Sequence, residues 1–193
     1  MHAHRSFSTL APLASPKHAR WQKIDVLLES CHRLPQHASR RTATRPRETA
    51  TQSVATVAYD AVNPFELAVA AEVFGFARPE LGVPWYRFWI CAVEPRPIRT
   101  SVDMLLSTPY GLEHIAEADI VIVPSSRPGI VAVPAALLEA LRQAYRRGAR
   151  LIGFCTGAFV LAAAGLLDGR RVTTHWLWAA ELAARYPSVH VDR

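Results

Sequence analysis

Ala149-Arg150-Leu151-Ile152-Gly153-Phe154-Cys155-Thr156-Gly157-Ala158-Phe159-Val160-Leu161-Ala162-Ala163-Ala164-Gly165-Leu166-Leu167 decides the fold. The run up to Phe154 reads as a buried strand, and the run from Ala158 to Leu167 reads as a helix packed on a sheet. A strand that turns sharply into a helix lifts the turn residue out of the sheet, and flanking glycines allow the tight backbone that such an elbow needs. The residue lifted here is Cys155. At a helix N-terminus the positive end of the dipole favours a thiolate. The five residues at the turn fit a buried apolar cysteine equally well, so the wider pattern has to separate the two readings.

That pattern is an alternation of strands and helices. Val54–Tyr59 reads as a strand, and Asn63-Pro64 is a cap and first-turn pair before a helix over 65–76. Phe65, Val69, Val73 and Phe76 share one face of that helix. Tyr86–Val93 is a second strand, Ile98–Thr108 an antiparallel excursion and Leu112–Ala116 a short helix. Asp119–Val123 is a central strand, apolar on both faces as parallel strands require. Pro134–Arg147 is an amphipathic helix ended by Gly148. After the elbow come a strand over Arg171–Thr174, a helix over Trp176–Arg185 and a strand over Val189–Asp192. The expected architecture is α/β, a doubly wound, mostly parallel sheet with helices on both faces. Sites in such sheets form beyond the carboxyl ends of the strands, where Asp60, Ser125, Cys155 and His175 fall.

Composition divides the chain in two. Of its 193 residues, 1–52 hold nine Lys/Arg against three Asp/Glu, whereas 53–193 hold thirteen of each. The net charge of +6 therefore belongs to the extension and is no nucleic-acid footprint of the folded part. We read 1–52 as a disordered or artefactual extension, with an Arg-rich transit peptide as the other reading. Within it Trp21, Ile24, Leu27, Leu28 and Cys31 recur at helical spacing. Residues 53–193 form the expected domain. Three cysteines, Cys31, Cys91 and Cys155, argue against a disulfide framework and for a reducing, cytoplasmic setting. No apolar run reaches the roughly 20 residues of a membrane span, so no membrane partner is expected. No zinc spacing, GxGxxG or P-loop is present, and no metal or cofactor is expected.

His175 follows the strand Val172-Thr173-Thr174. If that strand lies beside the elbow strand, its imidazole reaches the thiol and serves acid–base chemistry; alternatively it only caps the helix beginning at Trp176. Glu66, in the first turn after Asn63-Pro64, either faces the same rim or merely favours a helix N-terminus. Position separates neither pair of readings.

Several blocks resemble a known family. Tyr59-Asp60-Ala61-Val62-Asn63-Pro64-Phe65-Glu66-Leu67, Glu72-Val73-Phe74-Gly75, Gly82-Val83-Pro84-Trp85-Tyr86-Arg87-Phe88, the run Gly157–Arg171 and Thr173-Thr174-His175-Trp176 are similar to the ThiJ/PfpI superfamily. That superfamily has the class I glutamine amidotransferase-like fold, and these blocks most resemble the N-terminal domains of AraC-family transcriptional regulators. The resemblance covers about residues 53–192. It implies a site of Cys155, Glu66 as the acid that hydrogen-bonds it, and His175 nearby. Enzymes with this set are hydrolases, isonitrile hydratases and glyoxalase-type proteins. In the regulator branch the domain senses a ligand or dimerises ahead of a helix-turn-helix module.

Two departures bear on the choice. The family commonly places Gly after the proline of the central strand, where its amide helps form an oxyanion hole. Here Val123-Pro124 is followed by Ser125-Ser126-Arg127, with Ser125 and Thr156 at the loop positions of such a hole, and a side chain at that bend denies the strained backbone that the hole needs, which counts against acyl-transfer catalysis. The family's last strand and helix are also absent, as is the DNA-binding module, so the sequence reads as a truncated or frame-disrupted regulator. The expected function is a ligand- or redox-sensing regulatory domain, homodimeric, taking an unknown small molecule and reaching DNA only through the missing module. The alternatives are a cysteine-dependent enzyme, isonitrile hydratase-like or glyoxalase-like, and a fragment without function. Enzyme activity is left open, with the balance against it.

Overall fold

The computed structural model describes residues 51–126 and 132–192; the Trp21–Cys31 stripe and nearly all of the expected extension lie outside them. The first strand, β1 (Ser53–Ala58), is buried at every position. Asn63 then starts α1 (Pro64–Ala70): its side-chain oxygen accepts from the Phe65 N–H at 3.0 Å, and Pro64 fills the first position, where no N–H is needed. The helix continues as a π-helical turn over Ala71–Gly75, so its extent matches the sequence while its winding changes midway.

The remaining order is β2 (Arg87–Ala92), a hairpin of β3 (Ile98–Arg99) and β4 (Leu105–Leu106), α2 (Leu112–Glu117), β5 (Ile120–Val123), α3 (Ala135–Arg147), β6 (Arg150–Gly153), α4 (Gly157–Ala163), β7 (Arg171–Val172), α5 (Ala179–Arg185) and β8 (His190–Val191). The central sheet runs β2-β1-β5-β6, with every pair parallel.

Strand alternation sorts the core into two layers. In β5, Val121 and Val123 join Leu137 and Leu141 of α3 and Phe159 and Leu161 of α4. Ile120 and Ile122 turn to the other face, with Val54, Ala70 of α1 and the half-buried Phe74. Helices thus cover both faces, and the α/β, doubly wound architecture is the observed one. Residues apolar on both sides are what a parallel sheet demands.

Two placements come from the structure alone. The shared face of Phe65, Val69, Val73 and Phe76 is turned to solvent: all four side chains are exposed. The helix carries a second apolar row, Leu67, Ala70 and Phe74, at i, i+3 and i+7, and that row took the sheet. The strand before His175 does not extend the central sheet. β7 pairs in parallel with β8 in a separate two-stranded ribbon, packed on the core through Val172, Leu182 and Val189.

Candidate functional site

The site grows from the turn between β6 and α4. Cys155 sits there at φ 49°, in the left-handed region that a side chain with a Cβ enters at a cost of about 1–2 kcal/mol. Three bonds hold the turn. The Phe154 N–H donates to the Val123 carbonyl at 2.9 Å, the Gly157 N–H to the Phe154 carbonyl at 2.7 Å, and the Thr174 hydroxyl to the Cys155 carbonyl at 2.7 Å. Gly157 is required for its size. A Cβ there would lie 2.2 Å from the Val123 carbonyl oxygen, so only glycine lets α4 start this close to the end of β5.

The loops after β1 and β5 complete the rim. The Asn63 N–H donates to the Ser125 carbonyl at 2.8 Å, Val62 and Ser126 form an antiparallel bridge, and the Tyr59 hydroxyl donates to the Pro124 carbonyl at 2.8 Å. Glu66, in the first turn of α1, accepts from the Ser125 N–H at 2.5 Å. Both backbone groups of Ser125 are therefore engaged within the protein. Thr156 is buried, and its hydroxyl donates to the Ser126 carbonyl at 2.5 Å.

Charge and burial set the chemistry of the thiol. Partial burial pushes the Cys155 thiol above its ordinary value, the nearby Glu66 charge pushes it further, and a hydrogen bond from the Thr156 backbone amide works against both. Burial and the Glu66 carboxylate thus oppose the thiolate that the N-terminus of α4, a helix of seven residues, favours. Cys91 is wholly buried in β2, and burial pushes its thiol up to about 12. Cys155 is consequently the accessible thiol among the described residues. Tyr59 is pushed up to about 12, first by burial and lastly by Glu66, with a Ser126 hydrogen bond opposing.

His175 stands at the rim, engaged with its own chain neighbours. It is exposed, its Nδ1 accepts from the Leu177 N–H at 3.2 Å, and its ring stacks on Trp176 at 5.6 Å. The capping geometry is therefore present, while the adjacent Thr174 makes the bond to Cys155. The structure brings Glu66, Ser125, Cys155 and Thr156 into one neighbourhood and leaves His175 on its edge. Tyr59, Asn63 and Thr174 also build the site, and sequence reasoning gave them no such part. Their signal was position alone, a polar residue at the end of a buried strand or beside a cap.

Asp60, also at the rim, binds elsewhere. Arg96 donates to it at 2.7 Å and to Glu94 at 2.5 Å, which holds the Asp60 carboxyl below its usual range. A cleft of about 580 Å³ opens nearby, lined by Glu94, Arg96, Thr108, Tyr110 and Glu113 among others. Among the described residues no group of three or more His, Cys, Asp or Glu side chains is placed to hold a metal ion, and no helix is long and apolar enough to cross a membrane.

Comparison with known proteins fits this geometry. An uncharacterized protein of Streptomyces lividans, from the cpoL 5' region, is 38% identical over 137 residues, covering 70% of this chain and 95% of that one. The HTH-type transcriptional regulator CdhR of Pseudomonas aeruginosa is 36% identical over 108 residues, which are 56% of this chain and 32% of CdhR. The chain thus spans about a third of that regulator's length. The crystal structure of an AraC family transcriptional regulator from Pseudomonas putida superposes with a TM-score of 0.58 at 19% identity, covering 73% of this chain and 76% of that one; at that identity it speaks to the fold. The model of the DJ-1/PfpI family matches residues 52–190, a span that takes in the sheet, the elbow and the helix that carries Glu66, and the chain belongs to that family.

Proposed function

We propose that this chain is the sensing domain of an AraC-type transcriptional regulator, responding at the Cys155 rim to a small molecule or to oxidation of the thiol. The observation that carries the reading is the Glu66–Ser125 bond. Acyl-transfer chemistry at Cys155 needs a backbone donor aimed at a developing oxyanion, and the Ser125 N–H at the expected position is already taken by a carboxylate. Burial, and after it the Glu66 charge, raise the Cys155 thiol, which works against a resting thiolate nucleophile and favours the small-molecule side of the sensor reading over oxidation. The match to CdhR supports the regulator branch. In this reading the protein is cytoplasmic and homodimeric, and it contacts DNA through a separate module.

The enzyme reading keeps one observation in its favour, a half-buried thiol on a strained turn beside an acid. The test joins this chain to the DNA-binding module of CdhR and reads a reporter promoter with and without mild peroxide and a panel of small metabolites. A response that Cys155→Ser abolishes supports the sensor. Turnover of an isonitrile or methylglyoxal by the purified chain, lost in Cys155→Ser, overturns it in favour of the enzyme.

A further inference from the structure

Two threonines close the run Val172-Thr173-Thr174 just before His175, and the proposed function gives neither of them a part. Thr174 is half-buried, and its hydroxyl donates to the Cys155 carbonyl at 2.7 Å across 19 residues of chain. No other donor reaches that carbonyl among the described residues. The bond falls on a turn whose backbone is left-handed, with Cys155 at φ 49°. A conformation of that kind persists where its surroundings over-determine it.

The Cys155 carbonyl and the Thr156 N–H are the two ends of one planar peptide group, and they point in opposite directions. Fixing the oxygen therefore fixes the direction of the hydrogen. The Thr156 amide donates to the Cys155 thiol group, where it favours the thiolate against burial and the Glu66 charge. The neighbours of the group are pinned separately. The Phe154 N–H is bonded to the Val123 carbonyl and the Gly157 N–H to the Phe154 carbonyl, and the Thr156 hydroxyl donates to the Ser126 carbonyl at 2.5 Å. The freedom left to the plane is a rocking about the line that joins the Cα atoms of Cys155 and Thr156. A donor on its oxygen stops that rocking, and a threonine, stiff at χ1 because it branches at Cβ, holds such a donor at a set angle.

We infer that Thr174 is a positioning residue for the Cys155 thiol: its hydroxyl holds the peptide plane that aims the Thr156 N–H at the sulfur. Thr174 acts on the reactivity of the thiol, whatever ligand or chemistry the rim serves, so a rim that senses nothing leaves its role intact.

The test compares Thr174→Val, Thr174→Ala and Thr174→Ser in the full chain. Iodoacetamide labelling of Cys155 is followed across the alkaline range by mass spectrometry of the tryptic peptide 151–170, which carries no other cysteine. The ionisable groups of the rim, Glu66 on α1, Tyr59 after β1 and His175 after β7, are the same in all three variants. Loss of the hydroxyl in Thr174→Val and Thr174→Ala is expected to move the labelling midpoint up in pH and to slow labelling near pH 8 on the order of three- to ten-fold, because the thiolate loses a charge-assisted donor. Thr174→Ser is expected to return both to within about two-fold of the parent. The two deletions separate positioning from solvation: Val keeps the side chain's shape, whereas Ala opens the turn to water and, by solvation alone, lowers the midpoint. A midpoint that is unchanged or lower in either deletion, or that Thr174→Ser fails to restore, overturns the proposal and leaves Thr174 a structural bond read only in the melting curve. The unsubstituted chain gives a decision that needs no variant to fold. Its Thr156 amide proton is expected to move downfield in NMR spectra as Cys155 ionises, and a resonance blind to that titration overturns the proposal as well.

Discussion

Glu66 and Ser125 are 59 residues apart in the chain, and the carboxylate of one holds the backbone N–H of the other at 2.5 Å. The same carboxylate raises the Cys155 thiol. Replacing Glu66 with Gln keeps an oxygen acceptor for the Ser125 amide and removes the charge. The Cys155 titration then moves down in pH, because a negative neighbour disfavours a thiolate. Iodoacetamide labelling near pH 8 is expected to rise on the order of two- to five-fold. A rate unchanged or slower in Glu66→Gln removes Glu66 from the electrostatics of the thiol.

His175→Ala is expected to leave that labelling profile in place. The imidazole is exposed and occupied with the Leu177 N–H, so its loss removes a helix cap worth about 0.5–2 kcal/mol. A denaturant melt reads the loss of stability. A large change in the pH dependence of labelling restores His175 as a partner of the thiol.

Gly157→Ala is expected to destabilise the domain by at least roughly 1–3 kcal/mol, in the range of overpacked cores. The added methyl meets backbone, the Val123 carbonyl oxygen at 2.2 Å, which cannot swing aside as a side chain would. Unfolding by urea measures this, and a variant as stable as the parent shows that α4 shifts without penalty.

Alkaline titration gives a fourth expectation. Tyr59 and Cys91 are each pushed up to about 12, so both are neutral in the folded state at pH values where they ionise once unfolded. Stability linked to them is complete below their unfolded values and falls as pH rises from about 9 or 10 toward 12. Ultraviolet difference absorbance is expected to show one late tyrosine phase, absent in Tyr59→Phe. A tyrosine spectrum that titrates in a single ordinary step contradicts the burial of Tyr59.

What the sequence made legible follows from local physics. The uninterrupted apolar run of β5, the cap at Asn63-Pro64 and the small-residue turn at Cys155 each announce themselves within a few residues, and the parallel sheet follows from their order. Choices between equivalent surfaces were not legible. The helix over 65–76 carries two apolar rows, and only the assembled sheet shows that Leu67, Ala70 and Phe74 face inward. Likewise Arg171–Thr174 has a strand-like composition, but nothing local says that β7 pairs with β8 and not with β6. At the site, the position of Glu66 was readable and its attachment to the Ser125 amide was not, since that bond joins loops distant in sequence. The sign of the Cys155 shift depended on burial and on that carboxylate, neither of which a helix-dipole argument contains.

The β7–β8 ribbon lies outside the hydrogen-bond ladder of the central sheet, and a side-chain bond from Thr174 links its trailing end to the elbow carbonyl. Val172 of the ribbon and Val189 beside it belong to the main core. The Cys155 turn is therefore held from two sides, by the four-stranded ladder through the Phe154 amide and by the ribbon through one hydroxyl. A substitution at Thr174 reaches the thiol's backbone without touching a rung of the ladder.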